Sequence, residues 1–388
     1  MVSHERVLIL DNGSNYIRIG PSKSKDPSIV SESVVGLPKY RDYGDASEKE
    51  IEPAFGSEVH GANRQEKFSK IINPIQYGVI FHWELMEKYW KKIFDQFEIE
   101  NFGKYRLLVT EIPMHPPKLR ERLISIFLEK FGFRAVSILG SHQLLIYSSF
   151  KETGYLNGVI IEFGFNRTHV IPYYQGYMLA HAARKVDIGG ARVSQTFRRF
   201  IWDRNKGKLK LMDNLSTPHL MDILMEAHCE VYPKEYLEDA MKESVSLRTS
   251  NISKKMSVKI GHERFKAPEI LFKPSIAGLD YNAIDQIIVE AIESCDPEIR
   301  PDLYRNIVIG GGIASFPGLK ERVTLEIEKR SPAPTEINVN LLGGGRFGIW
   351  KAGTRLVNQD PSLIPWLTRR EYEDGGAELI HGKFFSLS

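Results

Sequence analysis

The feature that most constrains this chain is a short motif that occurs twice. Val7-Leu8-Ile9-Leu10 is an aliphatic run stopped by Asp11-Asn12-Gly13-Ser14-Asn15, after which Tyr16-Ile17-Arg18-Ile19 alternates as a half-buried strand does. Far downstream, Gly158-Val159-Ile160-Ile161 runs into Glu162-Phe163-Gly164-Phe165-Asn166, and Thr168-His169-Val170-Ile171 follows before Pro172. Both segments read as a strand, an acid, any residue, a glycine, any residue, an asparagine and a second strand. A solenoid would show many shorter copies, whereas one copy in each half is what a duplicated two-domain architecture leaves. The length of 388 residues agrees, since it exceeds what one hydrophobic core normally serves.

The segments between the copies supply the rest of an α/β pattern. Trp83 to Trp90 carries aromatic and aliphatic residues at three- and four-residue spacing and predicts a helix. Leu107 to Thr110 predicts a strand, and Leu119 to Phe131 an amphipathic helix with Leu123, Ile126, Phe127 and Phe131 on one face. Asn306 to Ile309 reads as a strand entering Gly310-Gly311-Gly312, with a helix from Pro317-Gly318 through Glu328 behind it. Lys39 to Pro53 and Asp203 to Lys210 are polar stretches that read as exposed excursions.

A strand that delivers a carboxylate into a glycine turn sets that carboxylate beside backbone N–H groups no side chain covers. Phosphate oxygens can approach such a turn, while the carboxylate can hold water on a magnesium ion bridging the phosphates. Two such hairpins facing each other would clamp a nucleotide between domains. Asp, Asn and Gly also dominate ordinary hairpin turns for conformational reasons alone, so one copy by itself reads equally as a structural turn. Charge adds nothing about partners: 52 Lys and Arg balance 49 Asp and Glu, too even to predict nucleic-acid or acidic-membrane binding. The two cysteines, Cys229 and Cys295, form no metal-ligand cluster and no disulfide framework, which favours a reducing compartment. No run reaches the roughly 18 apolar residues of a membrane span, and Val7 to Leu10 is too short for a signal peptide.

The order of these segments resembles the actin family from Leu8 to Phe385. Ile9-Leu10-Asp11-Asn12-Gly13-Ser14 is similar to the family's first phosphate loop and Gly164 to His169 to its second. Pro172 to Ala182, Val186-Asp187-Ile188-Gly189-Gly190, Glu263 to Phe272 and Asp302-Leu303-Tyr304-Arg305-Asn306 continue the match, followed by Gly311-Gly312 and Phe316-Pro317-Gly318. At the end stand Glu371-Tyr372-Glu373, Gly376, His381, Lys383 and Phe385. The resemblance implies an actin-like (ribonuclease H-like) α/β fold, two similar domains flanking a nucleotide cleft, each with a smaller peripheral subdomain. It sets the first half at residues 1–150 with a tip excursion at about 33–72, and the second at 151–345 with an insertion at about 192–268. The segment 346–388 returns to the first half.

The implied cofactor is ATP or ADP with magnesium. Asp11, Gly13, Ser14, Asn15 and Arg18 would meet the phosphates from one side and Glu162, Gly164 and Asn166 from the other. Asp11 and Glu162 would hold the metal through water. Gly190, Glu226, Gly311, Gly312, Phe316 and Arg346 would line the nucleoside. Arg18, Phe316 and Arg346 stand where the family usually has Lys, Tyr and Lys. The second loop departs further: conventional actin has two aspartates and paired glycines there, and this chain has Glu162, Phe165 and Asn166. The family glutamine that orients the attacking water is matched by Ser141. Gln143 and His142 are rotated from that direction by about 200° and about 100° around a helix, and His169 reads equally as a packing histidine.

No catalytic residue is therefore assigned, and hydrolysis is expected to be weak or absent. The implied role is a structural, nucleotide-binding subunit of a larger assembly, its partners other protein subunits, among them actin or actin-related proteins. Neither membrane binding nor sequence-specific nucleic-acid binding is expected. The charged stretch Tyr40 to Glu50 replaces the apolar tip loop of actin, which argues against self-assembly; an ATP-dependent polymerising filament protein is the alternative. Asp11 to Ser22 and Val186 to Gly190 are similar to the actin-related proteins of chromatin remodellers, while the tip loop and C-terminus are similar to centractin of dynactin. The expected location is intracellular, in the cytoplasm and cytoskeleton or alternatively the nucleus.

Overall fold

The computed structural model describes residues 6–39, 52–60, 68–205, 218–235, 242, 244–253, 256–332, 334–376, 379 and 382–383. The expected tip stretch Tyr40 to Glu50 lies outside them, as do residues 206–210 of the second polar excursion and His381 and Phe385 near the end. The chain divides into two compact units, one of Met1–Gly154 with Phe347–Ser388, the other of Tyr155–Arg346.

The first unit is built on a six-stranded sheet in the order Leu367–Thr368, Ala135–Gly140, Tyr105–Glu111, Arg6–Asn12, Tyr16–Pro21, Ile29–Glu32. The strands 135–140, 105–111 and 6–12 run parallel, and their neighbours on either side run antiparallel. A parallel strand buried on both faces reads as a continuous apolar run, and Val7 to Leu10 of the first strand supply it. Leu8 and Leu10 enter one core with Trp83, Met86 and Trp90, while Val7 and Ile9 enter a second with Trp350, Leu356 and Ile364. The helix Trp83–Asp95 buries Trp83, Met86, Tyr89, Trp90, Ile93 and Phe94, the three-four spacing the sequence shows. The helix Gly348–Gln359 is pinned against the first strand, where Trp350 Nε1 donates to the Ile9 carbonyl at 3.0 Å. Val35–Pro38, Ala54–Phe55 and Phe68–Ile72 form a small separate sheet.

The expected helix from 119 to 131 is two pieces. An α-helix covers Pro117–Ser125, and Ile126–Lys130 widens into a π turn closed by Phe131 N–H on the Ile126 carbonyl at 3.1 Å. This wider turn lies in a cluster of large rings: Phe127 and Phe131 both pack on Phe94, with centroids 6.3 and 5.0 Å away. Periodicity alone reads through such a one-residue insertion.

The second unit repeats the plan. Gly158–Phe163, Ile307–Gly311 and Val339–Leu341 run parallel, and Thr168–Tyr174 returns antiparallel to the first of them. Tyr177–Met178 and Arg184–Val186 pair with Thr168–Tyr174. Val159, Ile161 and Phe163 share a core with Val193 and Phe197 of the helix Gly190–Arg204 and with Ile288 and Ile292 of the helix Ile284–Glu293. The helix Leu319–Arg330 starts from Gly318, held at φ +83° against the Val231 carbonyl. Among the described residues no helix is long and apolar enough to cross a membrane.

Candidate nucleotide site

In each unit the acid of the motif sits at the carboxyl end of the first hairpin strand, directly opposite a basic residue of the second. Asp11 pairs with Arg18 in the register of one hairpin and Glu162 with His169 in that of the other. The turns close the same way, with Gly13 N–H on the Tyr16 carbonyl at 3.2 Å and Gly164 N–H on the Arg167 carbonyl at 3.0 Å. A Cβ on Gly13 would come within 2.8 Å of that carbonyl, and one on Gly164 within 2.9 Å. The glycines are thus required by the turn itself, and the amides of both are spent inside it.

The first hairpin gathers Asp11, Gly13, Ser14, Asn15 and Arg18 into one rigid loop. Arg18 Nη1 donates to Asp11 Oδ2 at 2.9 Å, and Thr110 Oγ1 donates to Asp11 Oδ1 at 2.9 Å. Asp11 is buried, so its charge is answered within the chain. Ser33 fastens the turn from below through Oγ on the Gly13 carbonyl and N–H on the Asn15 carbonyl. Ser14 Oγ accepts from Gly78 N–H at 2.8 Å, which leaves its own proton to donate. Arg18 lies over the Tyr16 ring, and its Nε is buried with no hydrogen-bond partner among the described residues. Thr110 was not among the expected site residues. The signal for it is parallel pairing of Leu10 with Val109, which sets the next residue of that strand beside Asp11.

The second hairpin is furnished differently. Glu162 is buried between His169 on one neighbouring strand and Gly310 on the other. Burial, reinforced by nearby Arg167 and Lys185, pushes the His169 imidazole down to about 4, so it is neutral at physiological pH. Arg167, at the place matching Tyr16, is turned onto Asp187, with Nη2 2.9 Å from Oδ1. Asn166 is half-buried in the turn. The loop carbonyls cap the next helix: Gly190 N–H donates to Gly164 O at 3.1 Å and Ala191 N–H to Phe165 O at 2.8 Å. Gly190 is therefore beside the second loop, with its amide already engaged.

Of the remaining expected residues, Gly311 is buried at φ +94°, where a Cβ would stand 2.2 Å from the Phe163 carbonyl. Gly312, next to it, is exposed with open space around its Cα. Glu226 and Arg346 meet as a loose, half-exposed ion pair at 3.4 Å. Phe316 is buried in the core of its unit beside Ile313 and Leu319. Ser141 opens the helix Ser141–Thr153, and Gln143 turns back to accept from Gly140 N–H at 2.8 Å, an N-terminal capping contact.

A family model described as Actin matches residues 2–385, and the chain belongs to the actin family. Its fold is the mixed α/β actin-like fold. The family takes ATP or ADP with magnesium. Each unit holds groups that suit an anion: in the first, Arg18 has a buried donor unused among the described residues and Ser14 a proton to donate, and in the second Gly312 has an open backbone face. They suit the metal poorly. In the first unit Asp11 is already paired with Arg18, in the second the loop brings Glu162 alone, since Phe165 and Asn166 carry no carboxylate, and among the described residues no group of three or more His, Cys, Asp or Glu side chains could hold an ion.

Proposed function

We propose that this chain is a structural, nucleotide-binding subunit of a larger protein assembly, in which ATP or ADP stabilises the fold and is hydrolysed weakly or not at all. The observation that carries the reading is the start of the helix Ser141–Thr153. The position matched to the family's water-orienting glutamine is Ser141, which has a short hydroxyl in place of a carboxamide, and the one glutamine of that helix, Gln143, accepts from the Gly140 amide. A hydrolytic site also needs the attacking water held for in-line displacement, and the buried His169 is held neutral within the second sheet. A ligand that binds the native state alone stabilises it by mass action without any chemistry.

In this reading the phosphates bind at the first hairpin, on Arg18, Ser14 and the outer side of the turn from Gly13 to Asn15. Other protein subunits are the partners, actin or actin-related proteins among them, and the cytoplasm and cytoskeleton, or the nucleus, is the setting. Incubating the purified chain with labelled ATP and sedimenting it at high speed tests both halves of the reading. Slow or no phosphate release from a non-pelleting protein is the expected result. Release at rates typical of filamentous actin, or ATP-dependent filaments with a critical concentration, would establish the polymerising alternative instead.

A further inference from the structure

We infer that nucleotide is held at the first hairpin without a divalent metal, with the Arg18 guanidinium supplying the positive charge that magnesium would otherwise bring. The inference rests on the nucleotide reading above and narrows it to a metal-free phosphate ligand.

Three features of the chain carry it. First, a carboxylate attracts metal-bound water only to the extent that its charge is unopposed, and Asp11 is buried with Arg18 Nη1 at 2.9 Å on one oxygen and Thr110 Oγ1 at 2.9 Å on the other. Second, the other hairpin brings one buried carboxylate, Glu162, flanked by His169 on one neighbouring strand and by Gly310, which has no side chain, on the other. Magnesium gives up its hydration water reluctantly and settles where carboxylates and phosphates together repay it. Neither hairpin offers that. Third, Arg18 is incompletely used. Among the described residues it donates only through Nη1, to Asp11 and to the Tyr16 carbonyl, and Nε is buried without an acceptor.

A buried donor left unpaired costs about 1–3 kcal/mol, which an incoming acceptor recovers. A phosphate is the acceptor whose geometry a guanidinium fork matches, since Nε and the second terminal nitrogen can bind two of its oxygens in one plane. The guanidinium also lies against the turn: Nη1 is 3.5 Å from where a Gly13 Cβ would project, beside the Tyr16 carbonyl that closes the turn. Asp11 thus acts as a positioning residue that holds the arginine, and the arginine meets the ligand.

The test titrates the full-length chain with ATP in excess EDTA and again in excess magnesium chloride, reading affinity by calorimetry. Dissociation constants within about threefold of each other are expected; magnesium tightening of about tenfold or more, a difference of about 1.4 kcal/mol, overturns the inference. Arg18→Lys keeps the charge beside Asp11 but removes Nε and the planar fork. It should weaken binding in EDTA by about tenfold or more while circular dichroism and the melting temperature show a folded protein. Unchanged affinity of that folded variant in EDTA also overturns the inference. A folded wild-type chain that binds ATP in neither condition defeats the nucleotide reading itself, a result distinct from binding that appears only with magnesium.

Discussion

The two hairpins share a backbone and differ in what surrounds the acid. In the first, Asp11 has a charged partner across the ladder and a hydroxyl beside it, in Arg18 and Thr110. In the second, the same two places around Glu162 are taken by His169 and Gly310. Duplication of a fold therefore preserved the strand register and the turn, each closed by a glycine amide on a carbonyl three residues on, while the side chains diverged. One hairpin became a neutralised, tightly tied loop with a spare guanidinium donor. The other became a loop whose carbonyls cap the helix Gly190–Arg204 and whose histidine is held neutral. Within a conserved scaffold, the residues one strand away from the acid decide what the acid can do.

Breaking the strand that backs the second hairpin should cost most. Gly311 crosses behind Phe163 at φ 94° and ψ −179°, a region that essentially only glycine enters, and a Cβ would sit 2.2 Å from a main-chain carbonyl that cannot swing away. Gly311→Ala should therefore lose about 4 kcal/mol in chemical denaturation. The exposed Gly312→Ala, with nothing within 4 Å of the added atom, should lose far less. Equal losses at the two positions would remove the contrast. Next comes the ion pair of the first hairpin. Arg18→Ala strands a buried carboxylate and should cost about 3 kcal/mol, whereas Arg18→Ala combined with Asp11→Asn should recover part of that loss.

Much of this was legible in the sequence, for physical reasons that differ by element. The hairpins were readable because strands buried on both faces must be aliphatic throughout and because turn chemistry is local. The helix Trp83–Asp95 was readable because its buried face recurs at helical spacing. The π turn at Ile126–Lys130 was not, since a ring cluster assembled from Phe94, Phe102, Phe127, Phe131 and Phe133 is a tertiary fact. Thr110 was missed at the site for the same reason: its contact with Asp11 depends on strand order and register, neither of which a single strand announces. Gln143 shows the converse case. Helical rotation separates its expected direction from that of Ser141, and the structure adds its contact with the Gly140 amide.

The histidine that replaces arginine in the second hairpin gives the comparison a pH signature. His169 is driven down to about 4 by burial, and Arg167 and Lys185 add to that. Unfolded, the ring returns to its ordinary value near 6.5. Between those values the unfolded chain binds the extra proton, so the stability contributed by the neutral, buried ring is intact above pH 6.5 and is lost as pH falls toward 4. At pH 5 the loss amounts to about 2 kcal/mol. His115, also lowered to about 4 by burial, with Arg120 adding to the effect, contributes a loss of the same sign. His169→Gln should flatten part of the fall in stability between pH 6.5 and 4, whatever it does to the level above pH 6.5. A slope unchanged by that substitution would show that the second hairpin does not hold its histidine neutral.

The smallest effect sharpens the comparison furthest, because it alters one oxygen of Asp11 and leaves the ion pair alone. Thr110→Val keeps the volume and β-branching of a buried strand residue and removes only the hydroxyl that donates to Oδ1. A hydrogen bond to a charged group is worth about 1.5 kcal/mol at the low end, so a loss of that size in denaturation is expected. If Thr110 fixes the carboxylate, and the carboxylate in turn holds Arg18, the variant should also widen the range of positions the guanidinium samples. ATP affinity measured in EDTA should then fall by a few-fold. A stability loss with wholly unchanged affinity would separate the two, leaving Thr110 as a strand residue that packs well and assigning the orientation of Arg18 to Asp11 and the Tyr16 carbonyl alone.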